Sequence, residues 1–212
     1  SIEYLDTTYA GGALTFLTDR FSVYVAASSP IFAYTDCDPN GWYRSAVDYV
    51  LNNGLMNGTG NNLFSPGASA SRAMIVTILW RLEGEPAGGD TTFTDLTQDW
   101  YMEAVGWALQ NGITTGSTAS AFDPDSAVTR EQFAAFLYRY AELSGIDVFA
   151  RADLTGYSDA GDISDYATDY VQWAVAAGII TGRTETTIVP GGTATRAEMA
   201  TMLMRFCENV LQ

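Results

Sequence analysis

Apolar residues in this chain fall into stripes at helical spacing, and the stripes come in pairs that recur three times. Val47, Val50 and Leu51 correspond to Val105, Ala108 and Leu109 and to Val171, Ala174 and Val175. Spacing of i, i+3, i+4 marks the buried face of a short helix, and Gly54, Gly112 and Gly178 follow as C-terminal stops. A polar loop rich in Gly, Asn, Ser, Thr and Asp comes next, with one apolar plug, Phe64, Phe122 or Ile188, near its end. A second stripe then begins: Ile75, Ile78, Leu79 and Leu82, matched by Phe133, Phe136, Leu137 and Tyr140 and by Met199, Met202, Leu203 and Phe206. This i, i+3, i+4, i+7 pattern predicts a helix with a single buried face.

Polar positions repeat as strictly as apolar ones. The copies WYRSAVDYVLNNGLMNGTGNNLFSPGASASRAMIVTILWRL, WYMEAVGWALQNGITTGSTASAFDPDSAVTREQFAAFLYRY and YATDYVQWAVAAGIITGRTETTIVPGGTATRAEMATMLMRF align on the helix-ending glycines. Each has a second glycine four residues on, at Gly58, Gly116 and Gly182, and a proline twelve on, at Pro66, Pro124 and Pro190. Arginine recurs at plus eighteen, as Arg72, Arg130 and Arg196, and again nine beyond, as Arg81, Arg139 and Arg205. Two short helices cannot bury such stripes alone, so the units must pack on one another. The expected fold is mainly α, three helix-loop-helix repeats in a pseudo-threefold helical bundle: repeat 1 over 34–87, repeat 2 over 88–146 and repeat 3 over 147–212. Linkers fall near Gly84 to Thr91 and, longer, near Ser144 to Gly156.

Residues 1–33 differ. LTFLTDRFSVYVA alternates at Leu14 and Phe16 and again at Phe21, Val23 and Val25, as in one or two short strands. This β-like extension reads either as the tail of a preceding β domain or as an integral hairpin packed on the helices.

Composition narrows the chemistry. A formal charge of −15 repels polyanions, which argues against nucleic acid and against an anionic lipid surface. Histidine and lysine are both absent, so a Ser-His-Asp triad, a Cys-His pair and a His-ligated zinc site are excluded within this chain. No apolar run reaches the 18 or so residues of a membrane span, and Ser1 to Pro30 lacks the basic start and apolar centre of a signal peptide. NGTGNN and DPDS are oxygen-rich, but turn chemistry accounts for them and neither has the spaced acids of a calcium loop. No cofactor or metal is expected. The 25 carboxylates would allow a glycoside hydrolase, yet its acids should occur once, in a unique cleft, whereas the marked positions recur by threes.

FTDLTQDWYMEAVGWALQNGITTG followed by FDPDSAVTREQFAAFLYRY resembles the S-layer homology module of bacterial surface proteins. That repeat runs from an F-x-D opening through W, AV and a GI-x-x-G turn to F-x-P and a T-R-A-E-type helix start. All three units match over roughly 34–209, with the opening aspartates Asp36, Asp95 and Asp159 kept. Unit 1 departs with SRAM, unit 2 with TREQ, and unit 3 carries Tyr166 in the tryptophan slot of Trp42 and Trp100. The opening phenylalanine becomes Ala33 or Tyr34 in unit 1, depending on register, and Tyr157 in unit 3. The resemblance implies three tandem modules arranged around a threefold axis, with grooves between them that hold cell-wall polysaccharide without covalent linkage. The implied ligand is a secondary wall polymer whose terminal sugar carries a pyruvyl ketal, or in some lineages a modified peptidoglycan. It further implies an extracellular location at the cell wall and no catalysis. A protein-interaction or lattice-forming module is the alternative, and the protein partners and the anchored protein are not specified.

Against that background one placement needs a reason. Thr129 reads as an N-cap with Gln132 completing a capping box, so Arg130, like Arg72 and Arg196, falls at the first helical position. The helix dipole disfavours a cation there by about 0.3–1 kcal/mol. An arriving carboxylate would offset this, held by free N–H groups and the guanidinium fork. Trp42, Trp100 and Tyr166 would offer flat faces to a sugar, and Gly58, Gly116 and Gly182 would let the backbone approach. The competing reading pairs Arg72, Arg130 and Arg196 with Asp36, Asp95 and Asp159 and buries the aromatics in the core. Arg81, Arg139 and Arg205, on the other side of the helix, suit an interface or a solvated role. Cys37 opens unit 1 and Cys207 closes unit 3, so ring closure would permit a disulfide; two buried free thiols are the rival.

Overall fold

The computed structural model describes residues 7–10, 13–16 and 29–211. Strands β1 (Thr7–Ala10) and β2 (Ala13–Phe16) form an antiparallel hairpin in which Ala10 faces Ala13. The second expected alternation, Phe21 to Val25, lies outside the described residues.

Six α-helices follow, two per unit: α1 (Arg44–Asn52) and α2 (Arg72–Leu82), α3 (Asp99–Gln110) and α4 (Arg130–Leu143), α5 (Thr168–Ala176) and α6 (Arg196–Asn209). The first helix of each unit stops where expected. Gly54, Gly112 and Gly178 stand just past its end at φ of 65°, 71° and 69°, a left-handed turn that a side chain would strain. The second helix starts on Ser71, Thr129 or Thr195, whose hydroxyl accepts the N–H of the third helical residue. At Thr129 and Thr195 the side chains of Gln132 and Glu198 reach back to complete the box.

Packing between units is cyclic. Helix α2 packs on α3, α4 on α5, and α6 returns to α1, so the last unit closes on the first. A ring of three backbone hydrogen bonds marks the pseudo-threefold axis: Ala70 N–H to Ala194 O at 2.8 Å, Ala194 N–H to Val128 O at 3.0 Å, and Val128 N–H to Ala70 O at 2.9 Å. These residues precede the three N-caps, so the helix starts converge on the axis. Around them lies a single apolar core that draws on all three units, with Phe64, Phe122, Phe133, Trp173 and Phe206 among its largest buried side chains. Edge-to-face aromatic contacts run across α3, α4, α6 and α5, from Trp107 to Tyr140 at 6.3 Å, Tyr140 to Phe206 at 6.0 Å and Phe206 to Trp173 at 6.4 Å. Before α1, a short 3-10 turn (Pro30–Ala33) buries Ile31. The carboxylate of Asp48 in α1, itself buried, accepts the Ser29 hydroxyl at 2.5 Å and the Ile31 N–H at 2.9 Å. No helix among the described residues is long and apolar enough to cross a membrane.

Candidate functional site

The helix starts do not present free N–H groups to an incoming anion. At each one the first two backbone N–H groups donate to the loop of the next unit. Arg72 and Ala73 bond Ser126 O and Pro124 O at 3.0 and 2.9 Å. Arg130 and Glu131 bond Gly192 O and Pro190 O at 2.9 and 3.0 Å, and Arg196 and Ala197 bond Ala68 O and Pro66 O at 2.8 and 3.0 Å. With the third N–H taken by the cap hydroxyl, the expected anion site at bare helix ends is occupied by carbonyls of the neighbouring unit.

The arginines follow the same route. Arg72, Arg130 and Arg196 are only 8, 5 and 5% exposed. Their Nε–H groups donate to the carbonyl of the next unit's plug: Arg72 to Phe122 O at 2.8 Å, Arg130 to Ile188 O at 2.7 Å, Arg196 to Phe64 O at 2.8 Å. Where the plug is aromatic the guanidinium also lies over its ring, Arg72 at 4.9 Å from Phe122 and Arg196 at 4.8 Å from Phe64. Nη2 of Arg130 and of Arg196 continue to Thr181 O at 2.9 Å and Asn57 O at 2.6 Å. The repeat-equivalent carbonyl for Arg72 belongs to Thr115, and the terminal nitrogens of Arg72 make no hydrogen bond to a described residue. Burial pulls the pKa of all three guanidinium groups down from its ordinary value, and neighbouring acids oppose this at each one.

No direct Arg–Asp pair forms at these positions. Asp36, Asp95 and Asp159 grip the same plug from the other side. Asp36 accepts the N–H of Phe64 and Ser65 at 2.9 and 2.7 Å, Asp95 those of Phe122 and Asp123 at 3.0 and 2.7 Å, and Asp159 those of Ile188 and Val189 at 2.9 and 2.7 Å. Desolvation would raise the Asp95 and Asp159 pKa, but the backbone N–H bonds outweigh it and hold both below the usual carboxylate range. Each plug peptide is thus clamped through its N–H by an aspartate of its own unit and through its C=O by an arginine of the preceding one.

Gly58, Gly116 and Gly182 face inward too. A Cβ at these positions would collide with the Tyr34, Phe93 or Tyr157 ring and with loop carbonyls. Tyr34, two residues before Asp36, therefore fills the opening aromatic slot of unit 1, rather than Ala33. The aromatics at the start of the first helices do not belong to the core: Trp42, Trp100 and Tyr166 are 68, 48 and 52% exposed. Trp42 and Trp100 each stand edge-to-face on the following tyrosine, at 5.5 and 4.9 Å. Arg81, Arg139 and Arg205 tie the second helix to its own unit, each donating Nη1 to the carbonyl just after the helix-ending glycine, at Leu55, Ile113 and Ile179.

The structure does not form the disulfide. Cys37 and Cys207 are free and half-buried. Cys207 lies beside the Tyr49 phenol of α1, and burial, then the Asp36 charge, pushes the Cys37 thiol up to about 11. Ring closure does bring α6 onto α1, but Cys207 meets a tyrosine there.

Each arginine crosses a seam and emerges beside the second helix of the next unit. Arg72 reaches the Phe136 ring of α4 at 5.5 Å and lies within electrostatic reach of the Tyr166 phenol of unit 3. Arg196 emerges beside Met74 of α2, its Nη1 3.5 Å from the sulfur, and Arg130 emerges near Glu198 and Arg205 of α6. Three quasi-equivalent seams result, along α2–α3, α4–α5 and α6–α1, each with a guanidinium supplied from outside the two helices that form it. Two features were not read from the spacing. Arg183 makes a fork with Glu198, Nε to Oε1 at 3.0 Å and Nη2 to Oε2 at 2.9 Å, in unit 3 alone. Buried Glu131, the residue that makes TREQ of a TRAE-type start, accepts Ser164 N–H at 3.0 Å, Ser164 O–H at 2.8 Å and Tyr166 O–H at 3.4 Å.

Three cyclically packed helix-loop-helix modules define a modular repeat domain. S-layer homology domains match residues 33–73, 92–134 and 156–200, more than half of the chain, and the chain belongs to this family. It is 31% identical to the Surface-layer 125 kDa protein of Lysinibacillus sphaericus over 95% of this chain and 17% of that protein. It is 29% identical to an amylopullulanase of Thermoanaerobacterium thermosulfurigenes over 94% of this chain and 11% of that enzyme. To a cellulosome-anchoring protein of Acetivibrio thermocellus it is 28% identical, over 73% of this chain and 35% of that protein. The chain thus spans between a tenth and about a third of the length of these relatives, and its likeness to the enzyme lies in the S-layer homology part, a minor fraction of it. The family associates the chain with the bacterial cell surface and with anchoring rather than catalysis.

Proposed function

We propose that the chain anchors a larger protein to the bacterial cell wall by holding an acidic, pyruvylated wall polysaccharide in the grooves between its units. The observation that supports this reading is the threefold recurrence of a seam-crossing arginine and of an aromatic ring that the core leaves in solvent, with Arg72 and Tyr166 within electrostatic reach of each other. Trp42, Trp100 and Tyr166 offer flat faces for pyranose rings, and the guanidinium ends supply local positive charge in a molecule of net charge −15. Arg72, Arg130 and Arg196 act on the ligand only through their ends, since their Nε–H groups are committed to the seams. Asp36, Asp95, Asp159 and the glycines Gly58, Gly116 and Gly182 contribute by fixing the loops that form the groove walls. Several modest sites on one chain give durable attachment through effective concentration.

Cosedimentation tests the reading. The protein is expected to pellet with wall sacculi and to stay in the supernatant once the secondary polymer has been extracted. Unchanged pelleting after extraction would assign binding to peptidoglycan instead.

A further inference from the structure

The three grooves are not chemically equal. The position after each seam arginine is Ala73 in α2, Ala197 in α6 and Glu131 in α4. Glu131 is 7% exposed, and its carboxylate gathers three donors from the start of unit 3: the Ser164 N–H, the Ser164 hydroxyl and the Tyr166 hydroxyl. A sugar carboxylate entering the α4–α5 groove would meet these donors already engaged by Glu131. Tyr166, exposed at the start of unit 3, is fastened to the same carboxylate, and its phenol lies within electrostatic reach of Arg72 and Arg139. Two carboxylates competing for one set of donors do not both remain ionised at contact distance without cost.

We propose that Glu131 is a built-in carboxylate that closes the α4–α5 groove to an acidic sugar, so that anionic ligand enters only the α2–α3 and α6–α1 grooves, where alanine stands in its place. This rests on the reading of the grooves as acidic-glycan sites. Glu131 then acts as a specificity residue for the array and as a staple joining units 2 and 3. Arg72, whose terminal nitrogens make no hydrogen bond to a described residue, works against Glu131 by drawing negative charge toward this groove.

Amide NMR and calorimetry with a disaccharide bearing a terminal pyruvyl ketal separate these outcomes, with the same disaccharide lacking the ketal as the neutral arm. In the unsubstituted protein the ketal probe is expected to shift amides at Asn57–Gly58 and Thr181–Gly182 and to leave Ser164 and Tyr166 in place. Glu131→Ala, or Glu131→Gln if the alanine variant does not fold, should add one binding site and bring Ser164 among the shifted amides. Shifts at Ser164 and Tyr166 in the unsubstituted protein, or no added site in either variant, overturn the proposal while leaving the glycan reading intact. No shift at any groove in any of the three proteins removes the glycan reading, and this proposal with it.

Discussion

A cation at the first position of a helix opposes the helix dipole, by about 0.3–1 kcal/mol for an exposed side chain. Arg72, Arg130 and Arg196 outweigh that term within the protein, because a charged donor to a buried carbonyl contributes about 1.5–3 kcal/mol. Each arginine is therefore first of all a seam residue. Replacing any one by alanine is expected to lower unfolding stability by about 1.5–3 kcal/mol in urea titrations, with or without glycan. Lysine in its place should recover only part, since it retains the charge but not the fork that bonds the plug carbonyl and, at Arg130 and Arg196, a second carbonyl as well. A ligand-only role predicts wild-type stability for both variants. The position of these arginines was legible in the sequence from their periodicity. Their destinations were not, because the accepting carbonyls lie 50, 58 and 132 residues away in another unit, beyond anything local spacing encodes.

Among the elements, boundaries were the most legible feature. The glycine stops and the Ser71, Thr129 and Thr195 caps stand where the pattern put them, since both rest on local backbone chemistry. Removing a cap tests how far each helix depends on it. Thr129→Ala and Thr195→Ala are expected to cost about 1 kcal/mol each, and Ser71→Ala, whose helix lacks the reciprocal half of the box, nearer 0.5 kcal/mol, measured by chemical denaturation. Equal losses at all three would show that the reciprocal bond contributes nothing. What local chemistry hid was the fate of the N–H groups beside the caps. The free donors expected at these helix ends are satisfied by Pro66, Ser126, Gly192 and their counterparts, acceptors that exist only once the ring has closed. The same holds for Glu131: TREQ was visible as a departure, but Ser164 and Tyr166 become its partners only through the packing of α4 on α5.

For the molecule as a whole, the paired grip on each plug links stability to acidity. Asp95 and Asp159 have folded pKa values depressed by backbone N–H bonds, and Glu198, despite its desolvation, is depressed by the Thr195 N–H and Arg183. Groups depressed in the folded state contribute stability that is fully present above their unfolded pKa, about 4, and lost as pH falls through the folded values. The melting temperature is expected to be level above about pH 5 and to fall steeply below about pH 4, in a single transition because every seam shares bonds with its neighbours. Asp95→Asn and Asp159→Asn should lower the plateau and flatten the acid limb in calorimetric scans. An unchanged acid limb in the double variant would place the sensitivity elsewhere. The threefold plan itself was legible from the repeats, since helices this short leave no other way to bury their stripes.

Asp48 has a mechanical consequence. A pull applied at Ser29 loads two bonds to one buried carboxylate and the embedded Ile31 before it can unwind α1. Because α1 is gripped by α6, that load passes into the last unit as well as the first, and traction is shared around the ring as in a closed hoop.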